Sequence, residues 1–171
     1  TRLRRIEDRD RIFFVTTNLA RGVAAFTPLE RDLILATVGE QRRRGDLSLF
    51  GYVVMPTHVH LMLSPQGQNL IRIMRDLKSK TGYEITRERK ISGRIWQERY
   101  FDTIIRRGRD FWQKMDYIHR NPVEAGLVKM PEEWKWSSYR QIVERVAGPI
   151  ATDPVDFPAD GDHLLWPAPW R

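Results

Sequence analysis

The segment from Leu47 to Leu63 constrains the fold most strongly, because it contains two strand-forming runs with a single break between them. The run 47–55 is rich in apolar and β-branched residues, and the run 58–63 is apolar apart from two histidines. Pro56-Thr57 separates the runs, and proline cannot donate a hydrogen bond to a sheet. The segment therefore predicts a β-hairpin or one bulged, bent strand, and either of them places a sheet in the middle of the chain.

The residues before this segment predict one strand followed by one helix. Residues 11–17 are mostly aromatic and β-branched, which is typical of a strand. Thr27 suits the N-cap of a helix, Pro28 its first position, and Glu30 completes a capping box. Apolar residues then keep helical spacing to about Arg44, so the sequence predicts a helix over that range.

The second half of the chain predicts further helices and one more strand. Gly82 interrupts the apolar spacing of a helix, and Asn121-Pro122 ends a later one, because the residue before proline avoids the helical region. The predicted elements are helices over 69–80 and from there to about 90, a strand over 96–105, a helix over 110–120, a helical turn over 123–127, and a last helix from Ser137 or Ser138 to about Val146.

The order of these elements predicts the fold class. The order β-α-β-β-α-β-α fits an α+β, ferredoxin-like antiparallel sheet with flanking helices. The 171 residues suit one domain with an appendage, which we place at 1–148 and 149–171. We expect the acidic, Pro-rich appendage to dock on the domain, because a free linker does not need its large apolar residues. These residues are Phe157, Leu164, Leu165, Trp166 and Trp170.

Two absences exclude several classes of protein. The chain has no cysteine, which excludes a disulfide scaffold, a thiolate zinc site, an iron–sulfur cluster and a cysteine nucleophile. No apolar run approaches the roughly 20 residues of a membrane span, and the first residues lack an apolar signal core. We therefore expect a soluble, cytoplasmic protein with no membrane partner.

The positive charge is concentrated in the middle of the chain. The chain carries a net charge of +7, and the segment 72–109 alone has twelve Lys or Arg against five acids. Aromatic residues are interleaved with these charges, and single-stranded nucleic acid combines stacking on aromatic rings with phosphate contacts. The alternative is a solvated basic surface whose aromatic residues belong to the core. The candidate DNA-binding residues are Arg72, Arg75, Lys78, Lys80, Arg94, Arg99, Arg106 and Arg107, and Arg2, Arg4 and Arg5 are expected to form a basic arm.

The triplet His58-Val59-His60 is a candidate metal site. Residues two apart on a strand project to the same face, so both imidazoles point together while Val59 points to the other side. Two imidazoles on the same face of one strand can supply two ligands to a single divalent cation. The alternative is two surface histidines on a half-buried strand.

Tyr117 and Asn121 form a second candidate pair. Positions i and i+4 share a helix face, so the phenol and the amide are expected to point the same way. This face lies away from the apolar stripe of Phe111, Met115 and Ile118. The alternative is a tyrosine that only fills an interface.

Four sequence blocks, in the right order, resemble the Y1 tyrosine transposases of the IS200/IS605 group. More narrowly, they resemble the REP-associated tyrosine transposases. The similarity extends over about residues 10–140. The blocks are Met55–Leu63, Trp96–Asp102, Tyr117–Val128 and Trp136–Tyr139.

The resemblance implies a HUH endonuclease fold over 1–148 that acts on single-stranded DNA, often a hairpin of a repetitive palindrome or a transposon end. It implies that His58, His60 and Asn121 hold Mg²⁺ or Mn²⁺, and that Tyr117 forms a 5′-phosphotyrosine. Insertion-sequence members have Gln at the position of Asn121 and commonly Asn at the position of Thr57. Lys114, one helical turn before Tyr117, is then expected to favour the phenolate.

Two other functions remain open on the sequence. The first is a DNA-hairpin-binding protein that does not cut. The second is a His-x-His metallohydrolase using metal-bound water, for which His119, predicted at an exposed helix position, and His163 are candidate further ligands. We expect a nucleoid-associated protein that is a monomer or a homodimer, with a lean to the monomer.

Overall fold

The structure, a computed structural model, describes residues 11–155. The predicted basic arm, His163 and the apolar residues from Phe157 onward lie outside the described residues. The elements are β1 (Ile12–Asn18), α1 (Pro28–Arg43), β2 (Leu47–Val54), β3 (His58–Pro65), α2 (Leu70–Arg89), β4 (Phe101–Ile105), α3 (Gly108–Glu124), a 3₁₀ turn (Pro131–Glu133) and α4 (Tyr139–Ile142).

The strands form one antiparallel sheet in the order β2-β3-β1-β4. Because β2 and β3 pair with each other, the segment around Pro56 is a hairpin and not a single bent strand. The order of strands and of the first two helices is that of a ferredoxin-like fold, so the predicted α+β class is confirmed. Within residues 11–155, no helix has both the length and the apolar character needed to cross a bilayer.

Both faces of the sheet are covered. Val59 and Leu61 of β3 are buried in the core that α1 and α2 contribute to, which we call the α1/α2 face. Met62 is buried in a second core with Met115 and Ile118 of α3, which we call the α3 face. Because side chains alternate along β3, His58 and His60 share the α3 face with Met62.

The register of β2 is irregular between Leu49 and Gly51. Leu49 before the irregularity and Tyr52 after it are both buried in the α1/α2 core, so the alternation of sides is shifted by one residue. Gly51 lies beneath Met115, and a Cβ at this glycine would lie 2.6 Å from the Met115 Sδ. The missing side chain therefore lets α3 approach the sheet.

The start of α1 matches its prediction. The Thr27 hydroxyl accepts a hydrogen bond from the Glu30 N–H, and the Glu30 carboxylate accepts one from the Thr27 N–H. Arg89 of α2 pairs with the same carboxylate, with 2.6 Å between Arg89 Nε and Glu30 Oε1. One acidic residue thus caps α1 and also joins it to α2.

Two predicted helix breaks are wrong. α2 runs through Gly82, where a Cβ would make an ordinary 3.7 Å contact with the buried Trp96, so tertiary packing outweighs the ~1 kcal/mol helix penalty of glycine. α3 begins at Gly108 and runs through Pro122 to Glu124. Asn121 and Pro122 are both buried, and this packing overrides the local preference of the residue before proline.

Two other predicted elements are shorter than expected. The fourth strand is Phe101–Ile105, because Trp96 makes only an isolated bridge with Leu19. The last helix ends at Ile142, and Arg145 adopts a left-handed conformation with φ of 57° that ends any continuation to Val146.

The described start of the C-terminal segment contacts α1 and β2. The Asp153 carboxylate accepts hydrogen bonds from Arg42 Nε at 2.9 Å and from the Leu49 N–H at 2.8 Å. The Asp153 N–H in turn donates to the Leu49 carbonyl at 2.6 Å. Further along the same strand edge, Ser137 forms an isolated bridge with Val53. These segments cover the outer edge of β2.

Candidate active site

The two histidines of β3 lie side by side on the α3 face. Their ring centroids are 4.7 Å apart with the rings nearly perpendicular. His60 is buried, with 3% of its surface exposed, and His58 at the strand end is half-buried. Thr57 Oγ1 lies 3.4 Å from His58 Nδ1, so the residue before the first histidine contacts its ring.

Two residues of β1 fix the orientation of His60. Thr16 is its cross-strand partner, and Thr16 Oγ1 lies 2.8 Å from His60 Nδ1. Phe14 stacks on the imidazole, with 5.3 Å between ring centroids and 21° between ring planes. These contacts leave Nε2 directed toward α3, where Asn121 Nδ2 lies 3.4 Å away. Thr16 and Phe14 are not recognisable from the sequence, because only the register of β1 against β3 brings them to His60.

α3 places Tyr117 and Asn121 over the histidines. The two residues are one helical turn apart, as their spacing predicts. The Tyr117 ring centroid is 5.2 Å from that of His60 and 6.0 Å from that of Phe14. Asn121 is buried, whereas Tyr117 keeps 42% of its surface exposed. The structure thus brings together all four residues of the two candidate pairs, with the phenol at the solvent side.

Burial disfavours the protonated form of both imidazoles. Desolvation, together with the nearby His58 and Lys114 charges, lowers the pKa of His60 to about 3. Desolvation also lowers the pKa of His58, and a hydrogen bond with Asn121 opposes this shift. Neutral imidazoles have a free lone pair, so the pair is ready to bind a cation at neutral pH.

Lys114 supplies positive charge beside the phenol. Its Nζ lies 4.7 Å from the Phe14 ring centroid and 5.9 Å from the Tyr117 ring centroid. The one-turn spacing along α3 thus brings this ammonium group to the same side of the helix as the phenol.

The donor set fits a divalent cation of borderline character. It consists of two neutral imidazoles and an amide, whose carbonyl oxygen is an acceptable ligand for Mg²⁺ or Mn²⁺. Across residues 11–155, no group of three or more His, Asp or Glu side chains is placed to hold a metal ion. A cation at this site would therefore depend on Asn121 as well as on His58 and His60.

His119 is not at an exposed helix position, contrary to the prediction. It is 1% exposed, and its Nε2 lies 3.0 Å from the hydroxyl of Ser138. Burial lowers its pKa to about 3. Ser138 Oγ also accepts a hydrogen bond from the Tyr52 N–H, so His119 links α3 to β2 and is not available as a further ligand.

The eight candidate DNA-binding residues fall in two regions of the fold. Six lie on α2 or in the segment 93–99 that packs beside it, and two lie at the turn between β4 and α3. Several have acidic neighbours: Arg72 and Arg75 both contact Asp76, at 3.7 and 3.3 Å, and Lys80 pairs with Glu40. The first region comprises Arg72, Arg75, Lys78, Lys80, Arg94 and Arg99, and the second Arg106 and Arg107.

Comparison with known proteins identifies relatives over most of the chain. The family model described as "Transposase IS200 like" matches residues 21–121. A REP-associated tyrosine transposase of Escherichia coli strain K12 is 27% identical over 157 residues, which are 90% of this chain and 92% of that protein. The solved structure of a REP-associated tyrosine transposase bound to a REP hairpin superimposes with a TM-score of 0.70 at 25% identity, covering 87% of this chain and 90% of that one. Tyrosine transposases are DNA-cleaving enzymes, and the resemblance of the four sequence blocks is confirmed.

Proposed function

Because this chain belongs to the IS200-like transposase family, we propose that it cleaves and rejoins single-stranded DNA through a covalent bond to Tyr117. The observation that supports this proposal most directly is the position of the phenol, 5.2 Å from His60 between ring centroids and open to solvent. A nucleophile for a polynucleotide must be both exposed and close to the groups that stabilise charge.

The proposed reaction is a transesterification at phosphorus. The Tyr117 oxygen attacks the scissile phosphodiester in line, the new O–P bond gives a 5′-phosphotyrosine, and the bond to the 3′ oxygen breaks. The phenolic proton is lost to solvent, and the departing 3′ oxygen takes up a proton. A free phenol with a pKa near 10 is a weak nucleophile at neutral pH, and Lys114 is the cation that α3 places beside the Tyr117 ring. Attack by a 3′-hydroxyl on the phosphotyrosine reverses the step and joins strands without an external energy source.

His58, His60 and Asn121 are the residues that would hold Mg²⁺ or Mn²⁺. When bound, such an ion polarises a phosphate oxygen and neutralises charge that develops on the phosphate. The chain's contribution is orientation: Thr16 and Phe14 fix the His60 ring, and the buried Asn121 is held by α3. Outer contacts of this kind keep ligand atoms aimed at a common point.

The proposed substrate is hairpin DNA of the repetitive palindromic type with single-stranded flanks, or a transposon end of similar form. The related protein of known structure is bound to a REP hairpin, and the chain's excess positive charge on α2 and its neighbouring segment suits a polyanion. We propose that the eight basic residues named above contact phosphates, that 1–148 is the catalytic domain, and that 149–171 docks on it. We also propose that the protein acts as a monomer in the cytoplasm, associated with the nucleoid.

A covalent-adduct assay tests the proposal. The protein is incubated with Mn²⁺ and a labelled hairpin with single-stranded flanks, and an SDS-resistant adduct is expected. Tyr117→Phe and chelation by EDTA should each abolish the adduct, while the control Tyr139→Phe, which removes a hydroxyl from a buried ring, should retain it. Binding without any adduct would indicate a hairpin-binding protein that does not cut. Cleavage that survives Tyr117→Phe would indicate hydrolysis by metal-bound water. Either result contradicts the proposal.

A further inference from the structure

A groove of about 570 Å³ lies between α2 and the segment 93–100, outside the candidate active site. α2 packs on the α1/α2 face of the sheet, so the groove is in the opposite layer from Tyr117. Its lining combines three basic side chains with three aromatic rings. The basic residues are Arg75, Lys78 and Arg94, and the aromatic residues are Tyr83, Trp96 and Tyr100.

The walls of the groove are held together by hydrogen bonds between its two sides. Lys78 Nζ donates to the Glu98 carbonyl at 2.8 Å, and Trp96 Nε1 donates to Thr81 Oγ1 at 2.9 Å. The Trp96 ring packs over Gly82 and is 4% exposed, so it forms part of the floor. A groove fixed in this way is preformed, which lowers the ordering cost of binding.

Tyr83 presents an aromatic ring at this groove that the fold does not bury. It is 64% exposed, and the Arg87 guanidinium lies 5.8 Å from its ring centroid. An exposed aromatic ring next to a guanidinium group is an arrangement on which unpaired bases stack in single-strand binding proteins. The face of the Tyr83 ring is therefore accessible to a base, unlike that of the buried Trp96.

The charge of the groove suits a phosphate. Lys78 and Arg94 lie on opposite sides of it. Burial lowers the pKa of Lys78, the Arg94 charge lowers it in the same direction, and the Glu98 charge opposes both. The only acidic side chain among the lining residues is Glu98, 3.5 Å from Arg94, and both partners of that ion pair are exposed to solvent. Two cations that repel each other across a groove are stabilised by a bound anion.

We infer that this groove binds one unpaired nucleotide of the DNA strand that flanks the hairpin, with the base stacked on Tyr83 and its phosphate between Lys78 and Arg94. The inference rests on the proposed function, because that function supplies the single-stranded flank. The segment that forms one wall of the groove is hydrogen-bonded to the end of β1, next to the strand that carries the histidines. The Gln97 N–H donates to the Asn18 carbonyl at 2.9 Å, and Asn18 is the cross-strand partner of His58.

The first test measures affinity without cleavage. In a Tyr117→Phe background, fluorescence anisotropy compares a hairpin with its flanks and the same hairpin without them. Tyr83→Ala should weaken binding of the flanked hairpin about 5- to 100-fold and leave the unflanked hairpin unchanged, because only a stacked base is lost. Tyr83→Phe keeps the ring and should bind as tightly as the parent. Equal losses for both hairpins, or no loss, would overturn the inference.

The second test identifies the nucleotide. An abasic site is placed at each flank position in turn, and each DNA is measured with and without Tyr83→Ala. At one position the two changes together should weaken binding no more than either alone, because both remove the same stack. Additive effects at every position contradict the inference. Adduct formation by Tyr83→Ala with intact Tyr117, at saturating DNA, reports separately on the proposed function. If the adduct forms but Tyr83→Ala shows no coupling to any abasic site, the proposed nucleotide site in the groove is wrong while the proposed function stands.

Discussion

Thr16 and Thr17 are neighbours on β1, but only the Thr16 hydroxyl has a hydrogen-bond partner among the described residues. Thr16 Oγ1 contacts His60 Nδ1 at 2.8 Å, whereas Thr17 Oγ1 is buried with no hydrogen-bond partner among the described residues. Thr16→Val should raise the dissociation constant for Mn²⁺ about 10- to 100-fold, because His60 loses the contact that aims Nε2 at the site. Isothermal titration calorimetry measures this constant.

Thr17→Val is the matched control for this prediction. It makes the same isosteric change one residue away and removes a hydroxyl that is buried without a partner, so folding stability should stay equal or rise. Its Mn²⁺ affinity should match that of the unmodified protein. If both variants fold and bind Mn²⁺ equally well, Thr16 has no positioning role.

Tyr52 predicts how stability changes at high pH. Burial raises the pKa of this phenol to about 12, from an ordinary value of 10. Between these values the unfolded chain loses the proton more readily, so the free energy of unfolding falls as the pH rises from 10 to 12. Two pH units correspond to roughly 2.7 kcal/mol. Tyr52→Phe should lack this loss, and urea denaturation at pH 9.5 and 11.5 measures the difference.

The exposed Tyr83 serves as the comparison for Tyr52. Tyr83→Phe also removes a phenol, but from a ring that is 64% exposed. Its loss of stability between the two pH values should equal that of the unmodified protein. If Tyr52→Phe and Tyr83→Phe have the same pH dependence, Tyr52 is not the source of the loss of stability.

At the scale of elements, the contact between α3 and β2 depends on Gly51. A Cβ at this position would lie 2.6 Å from the Sδ of the buried Met115. Gly51→Ala should therefore lower the free energy of unfolding by about 1–3 kcal/mol, because it overpacks the core. It should also slow adduct formation, since Met115 lies two residues before Tyr117 on α3. Urea denaturation and the adduct assay measure the two effects.

Gly82→Ala is the control for Gly51→Ala, because the added Cβ has room at this position. Its Cβ would meet Trp96 at an ordinary 3.7 Å, within a helix, so the substitution should raise the free energy of unfolding by up to ~1 kcal/mol. A stabilising or neutral Gly51→Ala would show that α3 can move away from the sheet at no cost.

The sequence was sufficient to predict those features of the fold and of the site that depend only on residues close together in the chain. The capping box of Thr27 and Glu30 and the shared side of two histidines two residues apart both follow from spacing alone. The continuation of α2 through Gly82 and of α3 through Pro122 could not be predicted, because burial of these segments decides it. The role of Thr16 could not be predicted for a related reason: Thr16 contacts His60 only through strand pairing, and the two residues are 44 positions apart in the sequence.

At the scale of the whole molecule, the distribution of charge predicts a salt-dependent affinity for DNA. Each phosphate contact contributes about one to the slope of log affinity against log salt concentration. Arg99→Gln should reduce that slope by about one. Fluorescence anisotropy measures the slope at salt concentrations from about 50 to about 300 mM, which bracket the physiological ~0.15 M. Arg140→Gln, on α4 where the guanidinium pairs with Glu144, is the control and should leave the slope unchanged. An unchanged slope for Arg99→Gln would exclude a phosphate contact.

The irregular register between Leu49 and Gly51 also makes the length of this strand critical. Deleting Phe50 would remove the extra residue and restore regular alternation, with Leu49 and Tyr52 still facing α1 and α2. Deleting Val53, beyond the irregularity, would instead turn Val54 toward α3 and Met55 toward α1 and α2, so both apolar layers would be mismatched by a single event. The turn at Gly45, by contrast, precedes the strand, and a change of length there leaves the facing of every later side chain intact.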